Sequence, residues 1–148
     1  MVGPGRLVWL DVIIPRGDPL WHDDVGVAPL WLGRRLAGLV PGAGVHDGAM
    51  LTTPWSSLVC FAGLGAGEVV DATGRKVIGI SQRRTRNAAL FQVAILLRWD
   101  PVEAVAGLAL DPPTRRRAAH ELEAVAAGLG LFDDAAAAEA LRATTTSV

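Results

Sequence analysis

The sequence predicts one domain of the α/β (α+β) class, with a mixed, mainly antiparallel sheet and flanking helices. Residues 7–14 form an apolar run, interrupted only by Asp11 and rich in β-branched side chains, which is typical of a buried strand. Three further strand-like runs follow as a meander with short turns, at residues 69–71, 76–82 and 88–98. After Pro101 the apolar spacing becomes helical, so helices are expected to follow the sheet.

Composition limits the classes of function. The 148 residues fit a single domain spanning 1–148, and 51% of them are hydrophobic, which indicates a globular chain. A net charge of −1 predicts no general affinity for nucleic acid. The sequence has no apolar run of ~18 residues and no signal-peptide pattern, so no membrane partner is expected. Cys60 is the single cysteine, which excludes an internal disulfide and agrees with a cytoplasmic location.

The remaining elements are predicted from local signals. A helix should begin at a cap formed by Asp23 or Asp24 and stop at Pro41-Gly42. Its predicted apolar stripe consists of Val27, Leu30, Trp31, Leu36 and Leu39. Residues 50–53 suggest a short extended piece, and residues 57–61 a strand. A helical tail over 101–143 should contain helices at residues 101–110, 114–129 and 133–142, with Pro112-Pro113 separating the first two.

Lys76 is the only lysine among the 14 Lys and Arg residues. Arginine can replace lysine on a solvated surface at little cost, but not where chemistry needs a compact ammonium whose pKa can shift. The exception therefore indicates a candidate catalytic group. The alternative is a lysine retained by chance at a hairpin turn, because perturbed-lysine sites are only probabilistic signals.

Two other features have both a chemical and a structural interpretation. The Gly63-Leu64-Gly65-Ala66-Gly67 stretch could bring backbone N–H groups to a phosphate, but it lacks a following helix, which favours a tight loop between strands. Cys60 could be a nucleophile if a neighbouring base or cation formed the thiolate. A lone cysteine in an apolar segment is more often a small buried hydrophobe.

The histidines and arginine clusters give weaker signals. His22, His46 and His120 are far apart and have no metal-ligand spacing, so no metal site is predicted. The cluster at residues 83–86 could recognise phosphate or carboxylate, for which arginine is suited, or could be a solvated turn. The arginines at residues 115–117 open a helix and are expected to form a solvated face.

A longer pattern surrounds Lys76. Its parts are Cys60-Phe61, Gly67-Glu68-Val69-Val70, Gly74-Arg75-Lys76-Val77-Ile78-Gly79-Ile80-Ser81-Gln82-Arg83-Arg84 and Leu90-Phe91-Gln92. In order and spacing this pattern resembles the catalytic domain of the biotin/lipoate protein ligase family, in its lipoate ligase and octanoyltransferase branches. The family's Arg-Arg-x-Gly-Gly-Gly segment would precede Met1, so the chain resembles the C-terminal part of that domain.

The resemblance implies a fold like that of class II aminoacyl-tRNA synthetases, and a ligase that attaches a lipoyl or octanoyl group to a carrier lysine. ATP and Mg²⁺ would be consumed with lipoate or octanoate, through an acyl-adenylate, and no cofactor would be tightly bound. The partner would be a lipoyl carrier domain of the E2 or glycine cleavage H protein type. Lys76 would hold the substrate carboxylate and the adenylate phosphate. The implied substrate-binding residues are Glu68, Gly79, Ile80, Ser81, Gln82 and Gln92.

Two alternatives remain open. In the octanoyltransferase branch, the position of Cys60 is the nucleophile that takes the acyl group from acyl carrier protein. Glu68 fits that branch better than the ligases, which usually carry Asn-Asp there. The second alternative is a non-catalytic subunit or a remnant of the family, with a second polypeptide supplying the missing N-terminal part.

Overall fold

The computed structural model describes residues 7–130, which form a mixed α+β fold around a five-stranded antiparallel sheet. Its strands are β1 (Leu7–Pro15), β2 (Gly44–Val45), β3 (Val69–Val70), β4 (Lys76–Arg84) and β5 (Ala88–Leu96). Its helices are α1 (Leu30–Ala37), α2 (Pro101–Ala106) and α3 (Pro112–Leu122), with a 3-10 helix at Cys60–Ala62. The strand order is β1-β5-β4-β3-β2.

The three long strands determine which side chains face the core. β1 pairs with β5 along its whole length, and β4 pairs with β5 from Ile78 to Arg84. Because side chains alternate along a strand, each row of paired residues lies on one face. One face packs against α1 in a core that contains Leu32, Leu36, Phe91, Val93 and Ile95. Trp31 of α1 meets Phe91 edge-to-face, with ring centroids 6.4 Å apart.

The second face of the sheet is covered only at one end. There Phe61 of the 3-10 helix packs with Ala94 and Leu96 of β5, and its ring lies 6.0 Å from that of Trp99. Farther along the same face, on β1, Trp9 is 53% exposed and Ile13 is 64% exposed. The covered end of this face is where the candidate site lies.

Four predicted strands, at residues 7–14, 69–71, 76–82 and 88–98, are confirmed with small differences at their ends. The first of them is an edge strand exposed on one face, so its predicted burial is wrong. The first helix begins later than expected. α1 starts at Leu30, and Asp24 accepts a hydrogen bond from the N–H of Gly26 in a turn. Proline disfavours the helical conformation of the residue before it, so Pro29 opposes an earlier start. The predicted stripe is therefore partly wrong: Leu36 is buried, but Val27 and Leu39 are exposed. The helix ends at Ala37, before Pro41-Gly42.

The predicted strand at residues 57–61 is wrong. The N–H groups of Leu58 and Val59 both donate to the carbonyl of Trp55, which gives consecutive turns followed by the 3-10 helix. Side chains initiate these turns, because Ser56 Oγ accepts from the N–H of Thr53. Of the predicted extended piece at residues 50–53, Leu51 forms an isolated bridge with Leu64.

The helices after residue 100 are shorter than predicted. α2 ends at Ala106, and Pro112 begins α3 instead of separating two helices, as expected for proline in a first turn. α3 ends at Leu122, and Ala126 forms a parallel bridge with Lys76 where a helix was predicted. A Cβ on Gly128 would lie 2.5 Å from Arg98 Cα, so this close approach requires glycine. The predicted helix at residues 133–142 lies outside the described residues.

In the part of the chain from 7 to 130, no helix is long and apolar enough to cross a membrane.

Candidate functional site

Lys76 is fixed at the first residue of β4 by backbone hydrogen bonds on both sides. Its N–H donates to the carbonyl of Val125 (2.9 Å), and its carbonyl accepts from the N–H of Ala127 (3.0 Å). These bonds tie the start of β4 to the segment that follows α3. The position of the Lys76 backbone is thus defined by chain segments about 50 residues apart.

The turn before Lys76 is organised by Asp71. Asp71 Oδ1 accepts hydrogen bonds from the N–H and the hydroxyl of Thr73 and from the N–H of Arg75. Asp71 Oδ2 lies 3.0 Å from an Arg75 Nη. Burial of the Asp71 carboxyl raises its pKa, but the hydrogen bonds from Thr73 and Arg75 outweigh burial and lower the pKa to about 2. An ionised Asp71 therefore stabilises the turn that leads into β4.

The ammonium of Lys76 is buried and fully engaged. The residue is 4% exposed, and Nζ lies 2.8 Å from each of the two carboxylate oxygens of Glu68. Nζ also donates to the carbonyls of Gly63 (2.7 Å) and Cys60 (3.2 Å), and it lies 4.9 Å from the centre of the Phe61 ring. An ammonium has three hydrogens, so these partners account for all of them.

Glu68 is the buried counter-ion of Lys76 and is 7% exposed. Its Oε2 accepts from the N–H of Gly65 (2.7 Å), and its Oε1 accepts from the N–H of Ile80 (3.1 Å). The Glu68 backbone is held by His46, whose N–H donates to the Glu68 carbonyl. Because β3 pairs with β4 only at Val69 and Val70, the Glu68 side chain satisfies the Ile80 N–H beyond the end of that pairing.

Gly79 provides the space in which this ion pair sits. A Cβ at Gly79 would lie 3.3 Å from Lys76 Cε, 3.3 Å from Phe61 Cζ and 3.5 Å from Glu68 Oε1. Contacts this short require the neighbouring groups to move. A side chain at residue 79 would therefore push the end of the Lys76 side chain or the Phe61 ring away by a few tenths of an ångström.

A small cavity of about 190 Å³ lies beside Phe61 and Gly63. It shares Phe61 and Gly63 with the surroundings of the ammonium, and most of its other lining is apolar: Leu51, Thr53, Ala62, Leu64, Gly74, Ala124 and Val125. A wider open groove of about 880 Å³ shares Ala124 with this cavity and is also lined by Thr73, Arg75, His120, Glu121 and Glu123. The small cavity is below the ~300 Å³ of usual ligand pockets, so it could take an alkyl chain but not a nucleotide.

Four of the predicted site residues meet at the ammonium. Cys60 contributes its carbonyl, Glu68 its carboxylate, Gly79 its missing side chain, and Ile80 the N–H that binds Glu68. Cys60 itself is exposed, so its prediction as a buried hydrophobe is wrong. The cause is the 3-10 helix, which replaces the expected buried strand.

The other three predicted residues lie away from the ammonium. Ser81 and Gln92 form a cross-strand pair on the open face of the sheet, on the same side as Gly79. Gln82 lies on the opposite face, in register with Phe91 of the core. Gln82 Oε1 is buried and has no hydrogen-bond partner among the described residues. The family pattern therefore spreads over both faces of β4.

The sequence did not identify two groups of the site, the Phe61 ring beneath the ammonium and the Gly63 carbonyl. The glycine-rich stretch was a candidate donor of N–H groups to a phosphate, and the N–H of Gly65 binds the Glu68 carboxylate instead. The position of Glu68 close to the β3–β4 hairpin could have identified it as the counter-ion of Lys76. Among residues near the β3–β4 turn, Glu68 and Asp71 are the acidic ones, and Asp71 is used within the turn. A buried ammonium needs a carboxylate, which leaves Glu68.

Arg84, of the arginine cluster, lies away from the ammonium. The Arg84 guanidinium stacks on Trp21, 4.4 Å from the ring centre, and donates to the carbonyls of His22 and Asp23, so it anchors a loop. Within residues 7–130, no three His, Cys, Asp or Glu side chains lie close enough to hold a metal ion.

In comparisons with protein-family models, curated proteins and solved structures, no significant match to this chain is found.

Proposed function

We propose that this chain is a lipoate-protein-ligase-like domain that attaches a lipoyl or octanoyl group to a lysine of a carrier domain through an acyl-adenylate. One observation carries the proposal. The motif segments that resemble the family are separated in sequence, yet Cys60, Glu68 and Gly79 all meet at the Lys76 ammonium. If Lys76 were a surface lysine retained by chance, these three residues would not be expected to lie around its ammonium.

The chemistry follows from the charge of Lys76. When a carboxylate or an acyl-phosphate is attacked, negative charge develops on oxygen, and a fixed ammonium in a water-poor site stabilises it. The ammonium is held by the carbonyls of Gly63 and Cys60, so it needs little reorganisation. Gly79 lets backbone approach the reacting group, and the apolar cavity beside Phe61 suits an alkyl chain.

The nucleotide would supply the activation of the carboxylate. The described residues offer no set of carboxylates or histidines for a resident Mg²⁺, so the ion would arrive bound to the nucleotide phosphates. The cavity of about 190 Å³ is too small for an adenylate, which would extend over the open face that carries Ser81 and Gln92.

The direct test incubates the purified chain with octanoate, ATP and an apo carrier domain, and follows the mass of the carrier. The proposal predicts acylation that requires ATP and survives Cys60→Ser. Failure of the wild-type chain to acylate under any of these conditions would contradict catalysis.

A Cys-dependent octanoyltransferase is the second candidate, and the exposure of Cys60 favours it. Cys60 is exposed and therefore accessible to an acyl donor, and the carbonyl of the same residue binds the Lys76 ammonium. In this route the Cys60 sulfur displaces the thiol of the acyl carrier and forms a thioester, which the carrier lysine then cleaves. Incubation with octanoyl-carrier protein should then give an acyl adduct on Cys60, and Cys60→Ser should abolish transfer.

A non-catalytic role is favoured by a different observation, the burial of the ammonium behind Glu68. It predicts that a non-hydrolysable lipoyl-adenylate analogue leaves the melting temperature unchanged. A rise in melting temperature that is lost in Lys76→Met would exclude this role.

A further inference from the structure

The carboxylate of Glu68 lies in a site whose donors all belong to other residues. Lys76 Nζ approaches both oxygens at 2.8 Å, the N–H of Gly65 binds one oxygen at 2.7 Å, and the N–H of Ile80 binds the other at 3.1 Å. A cation and two convergent N–H groups form the arrangement by which proteins bind carboxylate and phosphate.

Each donor is positioned by contacts that do not involve the Glu68 side chain. The ammonium also binds the carbonyls of Gly63 and Cys60, and the Ile80 N–H is fixed by the pairing of β4 with β5. Gly65 follows Leu64, which exchanges two backbone hydrogen bonds with Leu51. Truncation of the Glu68 side chain would therefore leave these donors close to their present positions.

We propose that Glu68 occupies an oxyanion site as an internal ligand, and that an external carboxylate or phosphate takes this site when the Glu68 side chain is absent or displaced. The chain is then partly self-inhibited: a substrate anion can still bind the ammonium, but it must compete with the chain's own carboxylate. The self-inhibition rests on the proposed function, whereas the existence of the oxyanion site does not.

The burial of the pair explains why an internal ligand is present. A buried ammonium without a counter-ion is strongly unfavourable, so a site with this cation cannot remain empty of negative charge. Glu68 fulfils this need in the resting chain. A substrate anion would fulfil it in its place, and would have to bind tightly enough to displace a carboxylate already held by three donors.

The test is chemical rescue in Glu68→Ala. This substitution removes the carboxylate and opens the space it filled, so formate or acetate should bind between Lys76, Gly65 and Ile80. At a concentration about ten times the dissociation constant, binding should raise the melting temperature by roughly 3–6 °C, relative to chloride at equal ionic strength. Inorganic phosphate, measured in parallel, distinguishes a site for either anion from one for carboxylates alone.

Three controls make the result specific. Wild type and Glu68→Gln keep the site filled, so neither should show a saturable effect of formate or acetate. The double variant with Glu68→Ala and Lys76→Met lacks the cation and should lose the rescue. Equal effects in Glu68→Ala and in the double variant would overturn the oxyanion site, as would a Glu68→Ala chain that stays unfolded in every anion.

The experiment distinguishes failure of the oxyanion site from failure of the proposed function, because the binding of formate or phosphate requires no acyl transfer. A chain that is rescued but transfers no acyl group keeps the oxyanion site and contradicts the proposed function. If both hold, Glu68→Ala should bind octanoate more tightly than wild type, and unchanged affinity would overturn self-inhibition.

Discussion

Replacing Lys76 by methionine tests the ion pair at the centre of the candidate site. The substitution leaves the Glu68 carboxylate buried, with only the N–H groups of Gly65 and Ile80 as partners. Removing one member of a buried ion pair costs about 3–5 kcal/mol. For a chain of this length, that loss lowers the melting temperature by roughly 6–20 °C.

The adjacent arginine provides a matched control. Arg75 is 43% exposed and pairs with Asp71 across an Nη–Oδ2 distance of 3.0 Å, so Arg75→Met should cost less than about 1 kcal/mol. Urea unfolding of both variants at neutral pH measures the two losses. If Lys76→Met loses no more free energy of unfolding than Arg75→Met, the reasoning about the buried pair is refuted.

A double variant separates loss of the pair from loss of packing. Combining Lys76→Met with Glu68→Gln removes both charges while keeping the shapes of the side chains. Replacing both members of a buried pair by neutral groups is often far less harmful than removing one. The double variant should therefore be more stable than Lys76→Met alone, and a purely additive loss would contradict this account.

Three further predictions concern the surroundings of the ion pair. Asp71→Asn should lower the free energy of unfolding by about 1–2 kcal/mol at neutral pH, because the folded protein lowers the pKa of Asp71 to about 2. In urea titrations, this difference should be present above pH ~4, the ordinary pKa of the carboxyl group, and should vanish as the pH falls through 2. Gly79→Ala should lower the free energy of unfolding by about 1–3 kcal/mol, because the new Cβ crowds the Lys76 side chain. Gly107→Ala, where a Cβ meets nothing within 4 Å, should be neutral or slightly stabilising, and equal losses of the two variants in thermal unfolding would contradict the crowding at residue 79. Cys60 should react with a thiol reagent in the native state at a rate close to that of the unfolded chain, and strong protection would contradict its exposure.

The β-meander was predictable because its local signals agree. The runs that become β4 and β5 are apolar and β-branched, and the turns between strands contain Asp71, Gly74 and Asn87. Residues 57–61 carry a similar apolar run, yet they form turns and a 3-10 helix. Periodicity cannot assign so short a run, and here turns that the Ser56 hydroxyl helps to stabilise lead into the 3-10 helix.

The site was predictable only in part, for a different physical reason. Lys76 stands out in the sequence as the single lysine, and its neighbours Glu68 and Gly79 lie within the same pattern. That the ammonium also binds the carbonyls of Gly63 and Cys60 depends on how the preceding loop folds back onto β4. Backbone ligands carry no side-chain signal, so no sequence pattern could have identified them.

The proposed function depends most on whether the Lys76 ammonium acts on an acyl group. The direct measurement is the mass of an apo carrier domain after incubation with octanoate, ATP and wild type, Lys76→Met or Arg75→Met, each shown to be folded. Acylation by wild type and Arg75→Met, with none by Lys76→Met, is the predicted result. Equal acylation by wild type and Lys76→Met, or no acylation by any of the three, would contradict the account.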